Sequence, residues 1–318
     1  MGERSINGNF NVLKDYKQVN IVNPYRYAAT GYDYSGALVI YGFQKLFAGW
    51  TDAVIQLRRS SDNATAYVFF DGNTITTSSL ISTSSNTTPD ATTLGTWIGS
   101  DNGFIRIWYG QTSTEAISAT YELLNTTNST QPKFITAGAI VTKNSNPAAE
   151  FDGLGSNISD SGPYTEMNNG NSFTMICVAS NDSTTTKGLI FSNRTGADWG
   201  GFQQAIDSST GKDIGIVWTT ITNIATPANY ISQTTTTNQR LLTTVLTASN
   251  IKSYYNGTEQ EDVAHTTTWA NNIFRVGRDR LTTFYLDGTV QEIIVYASDI
   301  TADLADIHAD VNNRYTIY

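Results

Sequence analysis

The chain has one cysteine, Cys177, in 318 residues, which excludes an internal disulfide and any cysteine-based metal site. Cys177 stands in the apolar segment Phe173 to Ala179 and reads as an inert core thiol. Histidine is almost as scarce. His265 and His308 lie in unrelated segments, so both are expected at the surface rather than on a metal. Charged residues make up 15% of the chain, 19 basic against 28 acidic, for a formal net charge of −9. That balance argues against nucleic acid or an anionic membrane as partner, because phosphate binding rests on Lys and Arg. No apolar run approaches the roughly 18 residues that span a bilayer, so no membrane insertion is expected. The opening MGERSINGNF has no apolar signal core, and the expectation is synthesis in a cytosol without a secretory leader. No Gly-rich phosphate loop, zinc spacing or Ser-His-Asp arrangement occurs in a usable context.

What is present is polar and aromatic. Thr, Ser and Asn supply solubility, while aromatics reach 11%, with 17 Tyr and 6 Trp. Such a composition favours strands and also carbohydrate-facing surfaces. Val54 to Phe70 reads as a hairpin, with Ser61-Asp62-Asn63 at the turn and Arg58 and Arg59 beside the Asp62 carboxylate. Local pairing would make Arg58, Arg59 and Asp62 a structural corner. Gly36, Ile40, Phe43 and Phe47 recur at helical spacing and predict a short helix in the N-terminal half. Thr74 to Thr96 is Thr/Ser/Asn-rich and reads as an exposed loop, with or without a short strand in it. Gly103 to Tyr109 alternates as a strand, with Phe104, Ile105, Ile107 and Trp108 on the core side. Another polar patch runs from Asn125 to Thr130.

From Pro147 onward, strands recur at intervals of about 12 residues, the spacing of a sandwich. Ser172 to Ser180 is apolar almost throughout, which predicts burial on both faces. Asn256-Gly257 after Ile251 to Tyr255 is the strongest hairpin signal in the chain. The chain closes on a predicted helix with Ile300, Leu304, Ile307, Val311 and Tyr315 on one face. Asp303 and Asp306 lie early in it and Arg314 late, which suits the helix dipole. With no βαβ alternation, the fold expected is an all-β antiparallel sandwich or jelly roll. It would form a single domain over 25–318, preceded by an N-terminal docking or assembly arm over 1–24.

The phrases RLLTTVLTASNIKSYYNGTEQ and NIFRVGRDRLTTFYLDGTVQEIIVYASDITADLADIHADVNNRY resemble the laminin-G-like, concanavalin A-like jelly rolls. The matching residues are Tyr255, Asn256, Gly257, Val276, Gly277, Tyr285, Asp287, Gly288, Glu292 and Tyr296, and the resemblance makes Asn256, Gly257, Asp287 and Gly288 structural. SGALVIYGFQKL, AVIQLRRSSDNATAYV and GFIRIWYGQTS resemble the catalytic domain of the arabinofuranosidase B family and its relatives among bacteriophage structural proteins. Together the two resemblances cover most of residues 28–318. In WYGQTS, Gly110 stands where the family has Asp.

The resemblance also implies a place to look for chemistry. Retaining glycosidases of this kind use two carboxylates about 5 Å apart. Asp279 falls near the position of the family's acid, although between Arg278 and Arg280 it also reads as an ion-paired loop acid. The strand of the family's nucleophilic Glu best matches DIGIVWTTITN, which contains no Glu, and the family's adjacent cysteine pair is absent. Nothing in the spacing of Glu150, Asp152, Glu166, Asp198 or Asp207 selects a replacement. The function expected is therefore non-enzymatic: a bacteriophage virion protein of capsid or tail, at the virion surface, displaying a lectin-like jelly roll to glycans. The alternatives are an arabinofuranosidase-type hydrolase and a free-standing carbohydrate-binding module. Candidate glycan contacts are Trp199 beside Asp198, Trp218, Trp269, Arg278, Asp279 and Tyr285; each Trp reads more readily as core or rim packing, Trp199 the least so because glycines surround it. The partners expected are other virion proteins through the arm, glycans, and further copies of the chain. A trimer is common for fibres, though no coiled-coil heptads occur here. Some laminin-G-like folds bind Ca2+, but no carboxylate cluster stands out, and no cofactor is expected.

Overall fold

The computed structural model describes residues 32–318 apart from 168–170, 184–186, 193–200, 208–211, 219–230, 233–237, 265–272 and 280–283. The arm over 1–24, Asp198, Trp199, His265, Trp269 and Arg280 lie outside the described residues.

The near-continuous apolar run becomes the spine of one sheet. All nine residues of Phe173–Asn181 are buried, as a strand covered on both faces must be. It pairs antiparallel with Arg240–Leu246 on one side and Asp287–Tyr296 on the other. Asn250–Tyr255 and Thr258–Ala264 extend the sheet beyond Arg240–Leu246. They are joined by Asn256 (φ 47°) and Gly257 (φ 79°), the consecutive left-handed pair that a two-residue hairpin requires. On the far side, Asp287–Tyr296 pairs with Val39–Gly42 and with Ala149–Asp152.

The second layer is also antiparallel. Its strands run Lys212–Trp218, Gly201–Asp207, Lys187–Ser192, Ile273–Val276, Ile158–Pro163, Glu122–Leu124, Gly103–Tyr109, Ile55–Arg59 and Thr65–Val68. Cys177, Leu242 and Ile293 from the first sheet meet Leu57, Ile105, Ile158, Phe191 and Val276 from the second in the main core. Burial pushes the Cys177 thiol far above its usual pKa, so it stays protonated and unreactive. The opposite-facing residues Ile176, Val178, Leu241 and Ile294 form a second core with Leu304, Ile307, Val311 and Tyr315 of the C-terminal helix, Leu304–Tyr315. The result is an antiparallel β-sandwich with that helix on its outer face.

Three expectations are corrected. The helix predicted over Gly36 to Phe47 is a strand, Val39–Gly42, with every residue buried. A short apolar run buried on both faces has no period to tell it from a helix, and the β-branched pair Val39 and Ile40 favours the strand. The helix of the N-terminal half is α1, Leu94–Ile98, capped by Thr93; the C-terminal helix is then α2. Helix α1 begins inside the stretch expected to be an exposed loop, where Ile75, Ile81 and Leu94 are also buried. Serine and threonine hydroxyls satisfy the backbone there, as where Ser79 Oγ accepts from the Thr76 N–H at 3.0 Å. Finally, His308 is not at the surface but 3% exposed, between α2 and the first sheet, with Nε2 2.8 Å from Thr243 Oγ1.

Candidate functional site

Three chain segments converge on a polar cleft of about 410 Å³, lined in part by Asn125, Thr127, Asn157, Asp160, Arg278 and Tyr285. The first wall is the polar patch that follows Glu122–Leu124. Asn125 ties it down: its Nδ2 donates to the carbonyls of Thr130 (2.8 Å) and Asn157 (2.7 Å), while its Oδ1 accepts the Thr127 N–H at 2.8 Å. Gln131 Nε2 donates to the Asn125 carbonyl at 2.8 Å. Arg58 completes the tie by donating from Nε to Gln131 Oε1 (2.7 Å) and from an Nη to the Asn128 carbonyl (3.0 Å). Its guanidinium also lies 4.7 Å from the Phe104 ring centroid. Phe104 is therefore half-buried beneath a cation rather than packed in the core, and Ile107 is half-buried against Ala53, Phe69 and Tyr109, while Ile105 and Trp108 are fully buried.

The second wall leads from the end of Ala149–Asp152 into Ile158–Pro163. Asp152 Oδ1 accepts the N–H groups of Leu154 (3.0 Å), Gly155 (2.9 Å) and Ser156 (2.8 Å). Burial works to raise the Asp152 pKa, but these bonds outweigh it and hold the carboxyl below its usual range.

The third wall is the bridge between Arg278 and Tyr285. It depends on Gly277, whose φ is +85° and where a Cβ would stand 2.3 Å from the Phe151 ring. Only glycine allows that approach and the turn that carries Arg278 into the cleft.

Asp160 contributes the carboxylate. It is 4% exposed, its Oδ1 accepts the Gly162 N–H at 3.2 Å, and Tyr164 hydrogen-bonds to it. The Tyr164 and Tyr41 hydroxyls are themselves in hydrogen-bond contact, and burial drives both far above the ordinary phenol pKa. Nearby, Glu122 is raised by burial and then by the charge of Asp160. Among the described residues lining the cleft, Asp160 is the one carboxylate. No group of three or more His, Cys, Asp or Glu among the described residues could hold a metal ion.

The structure brings Arg278 and Tyr285 together in this cleft and does not include Asp279 in its lining. Asp279 is 0% exposed, with its backbone N–H donating to the Phe284 carbonyl at 3.1 Å. Trp218 ends the Lys212–Trp218 strand opposite Gly201. The structural residues sit in regular surroundings. Arg59 pairs with Asp62 at 2.7 Å, and Asp287 and Gly288 stand opposite Asp152 and Phe151 in the ladder. The sequence pattern does not single out Asn125, Thr127, Thr130, Asn157 or Asp160. Their one visible signal is a Thr/Asn-rich patch directly after a strand end.

No protein-family model matches the chain, and no curated protein matches it in sequence. Among solved structures, a GH54 α-L-arabinofuranosidase soaked with a cyclic sulfate inhibitor is similar at a TM-score of 0.63 and 14% identity, over 88% of this chain and 63% of that one. An arabinofuranosidase complexed with arabinofuranosyl-α-1,2-xylobiose is similar at a TM-score of 0.55 and 15% identity, over 86% of this chain and 62% of that one. The chain thus spans a little under two thirds of the length of these enzymes. At such identities the likeness is one of fold, an antiparallel β-sandwich of the kind found in these glycosidases.

Proposed function

We propose that this chain is a carbohydrate-binding jelly roll that holds a glycan without hydrolysing it. The observation that carries the reading is the cleft. It combines an aromatic ring (Tyr285), a guanidinium (Arg278), a buried carboxylate (Asp160) and a fixed amide and hydroxyl wall (Asn125, Thr127, Asn157). A ring to stack on and a few immobilised polar groups are what sugar hydroxyls and the apolar face of a pyranose or furanose require. The non-hydrolytic reading is supported by the carboxylates in view, since a retaining or inverting glycosidase needs two flanking one bond, and among the described residues one lines this cleft.

The setting we propose is the surface of a bacteriophage particle, on capsid or tail, with the arm over 1–24 engaging other virion proteins or further copies of the chain. Its support is the resemblance of SGALVIYGFQKL, AVIQLRRSSDNATAYV and GFIRIWYGQTS to phage relatives of the arabinofuranosidase domain.

Binding is tested by a glycan array followed by titration calorimetry, with Tyr285→Ala as the comparison. The expected result is saturable binding lost or weakened at least tenfold in the variant, about 1.4 kcal/mol or more. Release of arabinose from an aryl arabinofuranoside at a rate above buffer would overturn the non-hydrolytic reading. Peptide mass spectrometry of purified particles tests the setting, and absence of the chain from every particle would remove it.

A further inference from the structure

We propose that the saccharide this cleft takes is acidic, with a sugar carboxylate received by Arg278. The inference rests on the carbohydrate-binding reading above and adds the charge of the ligand. It starts from how the other arginines are used. Arg58 is bonded to Gln131 and Asn63, Arg59 to Asp62, Arg106 to Gln56, Arg275 to the Ile273 carbonyl, and Arg314 to Glu292 and Asp310. Arg240 is buried within the first sheet and does not line the cleft. Arg278 does line it, its Nε is buried with no hydrogen-bond partner, and it forms no ion pair among the described residues. Acidic residues outnumber basic ones by 28 to 19, so an arginine left without a carboxylate among the described residues is a cation open to a partner from outside.

The chemistry of that partner follows from the shape of the group. A guanidinium presents N–H donors in a planar fork that matches the two oxygens of a carboxylate, and charged bonds of this kind are stronger than those to neutral hydroxyls. A partly enclosed wall strengthens the interaction further by excluding water. The remaining lining suits a sugar ring rather than a bare anion. Asn125, Thr126, Thr127, Thr130 and Ser159 offer amide and hydroxyl groups, and Tyr285 offers a face. Asp160 also lines the cleft and would oppose a second anion. Its charge is already met by the Gly162 N–H and the Tyr164 hydroxyl, which leaves it suited to accept from sugar hydroxyls. One carboxylate per bound unit, placed at the Arg278 end, is the charge pattern that fits.

The test uses the full chain and titration calorimetry at fixed ionic strength. The probes are oligosaccharides of galacturonic, glucuronic and mannuronic acid, each beside its carboxyl-reduced neutral counterpart, with inorganic phosphate as a competitor. The expected result is at least one uronate binding about tenfold or more tighter than its neutral counterpart, as a charge-assisted bond implies. Arg278→Gln should lower uronate affinity far more than neutral-sugar affinity, erasing that difference, while leaving the thermal midpoint unchanged. Arg278→Lys, a point charge without the fork, should keep only part of it. Equal affinity for acidic and neutral sugars, or a preference that survives Arg278→Gln, overturns the proposal and leaves the carbohydrate reading standing. Displacement of uronate by phosphate with no sugar dependence would mark a simple anion site and overturn it too. Binding of neither class would overturn both readings.

Discussion

Arg58 Nε donates to Gln131 Oε1 at 2.7 Å, and through that bond the first hairpin of the chain reaches the cleft. Gln131 passes the contact to the Asn125 carbonyl, and Asn125 clasps both Thr130 and Asn157. A side chain that touches no proposed ligand thereby sets the shape of one wall.

Replacing Arg58 with alanine should show this dependence. Arg58 is 7% exposed, and its loss leaves Gln131 Oε1 and the Asn128 carbonyl without their donor. We expect a cost of about 2–4 kcal/mol, from unsatisfied buried acceptors and a lost ring contact. Amide hydrogen exchange over 125–131 should accelerate more than exchange in Phe173–Asn181. Asp62→Ala removes the exposed partner of Arg59 and an acceptor of the Ala64 N–H in the turn, and should shift the urea midpoint much less. Equal shifts for the two variants would contradict this relay of contacts.

Gly277→Ala should be costly for two separable reasons. The residue would sit at φ +85°, and its Cβ would lie 2.3 Å from the Phe151 ring and 3.0 Å from the Ser156 carbonyl. Left-handed strain and overpacking together should cost about 2–4 kcal/mol. A companion change of Phe151 to Leu makes room and should recover part of the packing cost but none of the backbone strain. Denaturation of the two single variants and the double variant measures the coupling.

Much of this architecture is legible in the sequence because its signals are periodic or local. Cys177 and its neighbours announce a doubly buried strand by being apolar throughout, and Asn256-Gly257 announces its turn because few residues accept two left-handed conformations in succession. Val39 to Gly42 is not legible: four buried residues carry no period, and flanking apolar residues complete a spurious helical one. His308 escapes a local reading because its burial is decided by Thr243 and the Gly257 backbone, both more than fifty residues away. The cleft is half legible. Arg278 and Tyr285 stand out as a cation and an aromatic near strand ends. Asn125 and Asp160 join them only through the pairing of Glu122–Leu124 with Ile158–Pro163, and nothing local encodes that pairing.

Glu292 and Arg314 form a buried ion pair, 1% and 5% exposed, which fastens α2 to the first sheet. Arg314 also binds Asp310 at 3.2 Å and Tyr34 at 3.0 Å, and Tyr315 donates to Glu292 at 3.1 Å. Glu292→Ala takes from the buried Arg314 guanidinium one of its two carboxylates and should cost about 3–5 kcal/mol. The triple change Glu292→Leu, Asp310→Asn and Arg314→Met should cost less than the single change, because it leaves no member of this cluster charged. Urea denaturation followed by circular dichroism makes the comparison, and a triple variant weaker than Glu292→Ala would contradict it.

His308 should make the protein sensitive to mild acid. Burial holds its pKa down to about 4, from 6.5 for a free imidazole, with a hydrogen bond to the Gly257 backbone opposing the shift. The folded state therefore keeps the ring neutral where the unfolded chain would protonate it. Stability from this group is complete above pH 6.5 and is lost progressively as the pH falls towards 4. Over that window the loss reaches about 3 kcal/mol, because one proton bound only by the unfolded chain costs roughly 1.4 kcal/mol for each pH step. Carboxylates protonating at the lower end of the range add their own slope, so the informative quantity is a difference between proteins. His308→Gln can still bond to Thr243 and to the Gly257 backbone but does not titrate. It should be somewhat less stable than the parent at pH 7.5 and should lose less stability on going to pH 5. Urea midpoints at pH 7.5, 6.5, 5.5 and 5 would give parallel curves for the two proteins if the histidine were protonated in the folded state, and converging curves if burial keeps it neutral.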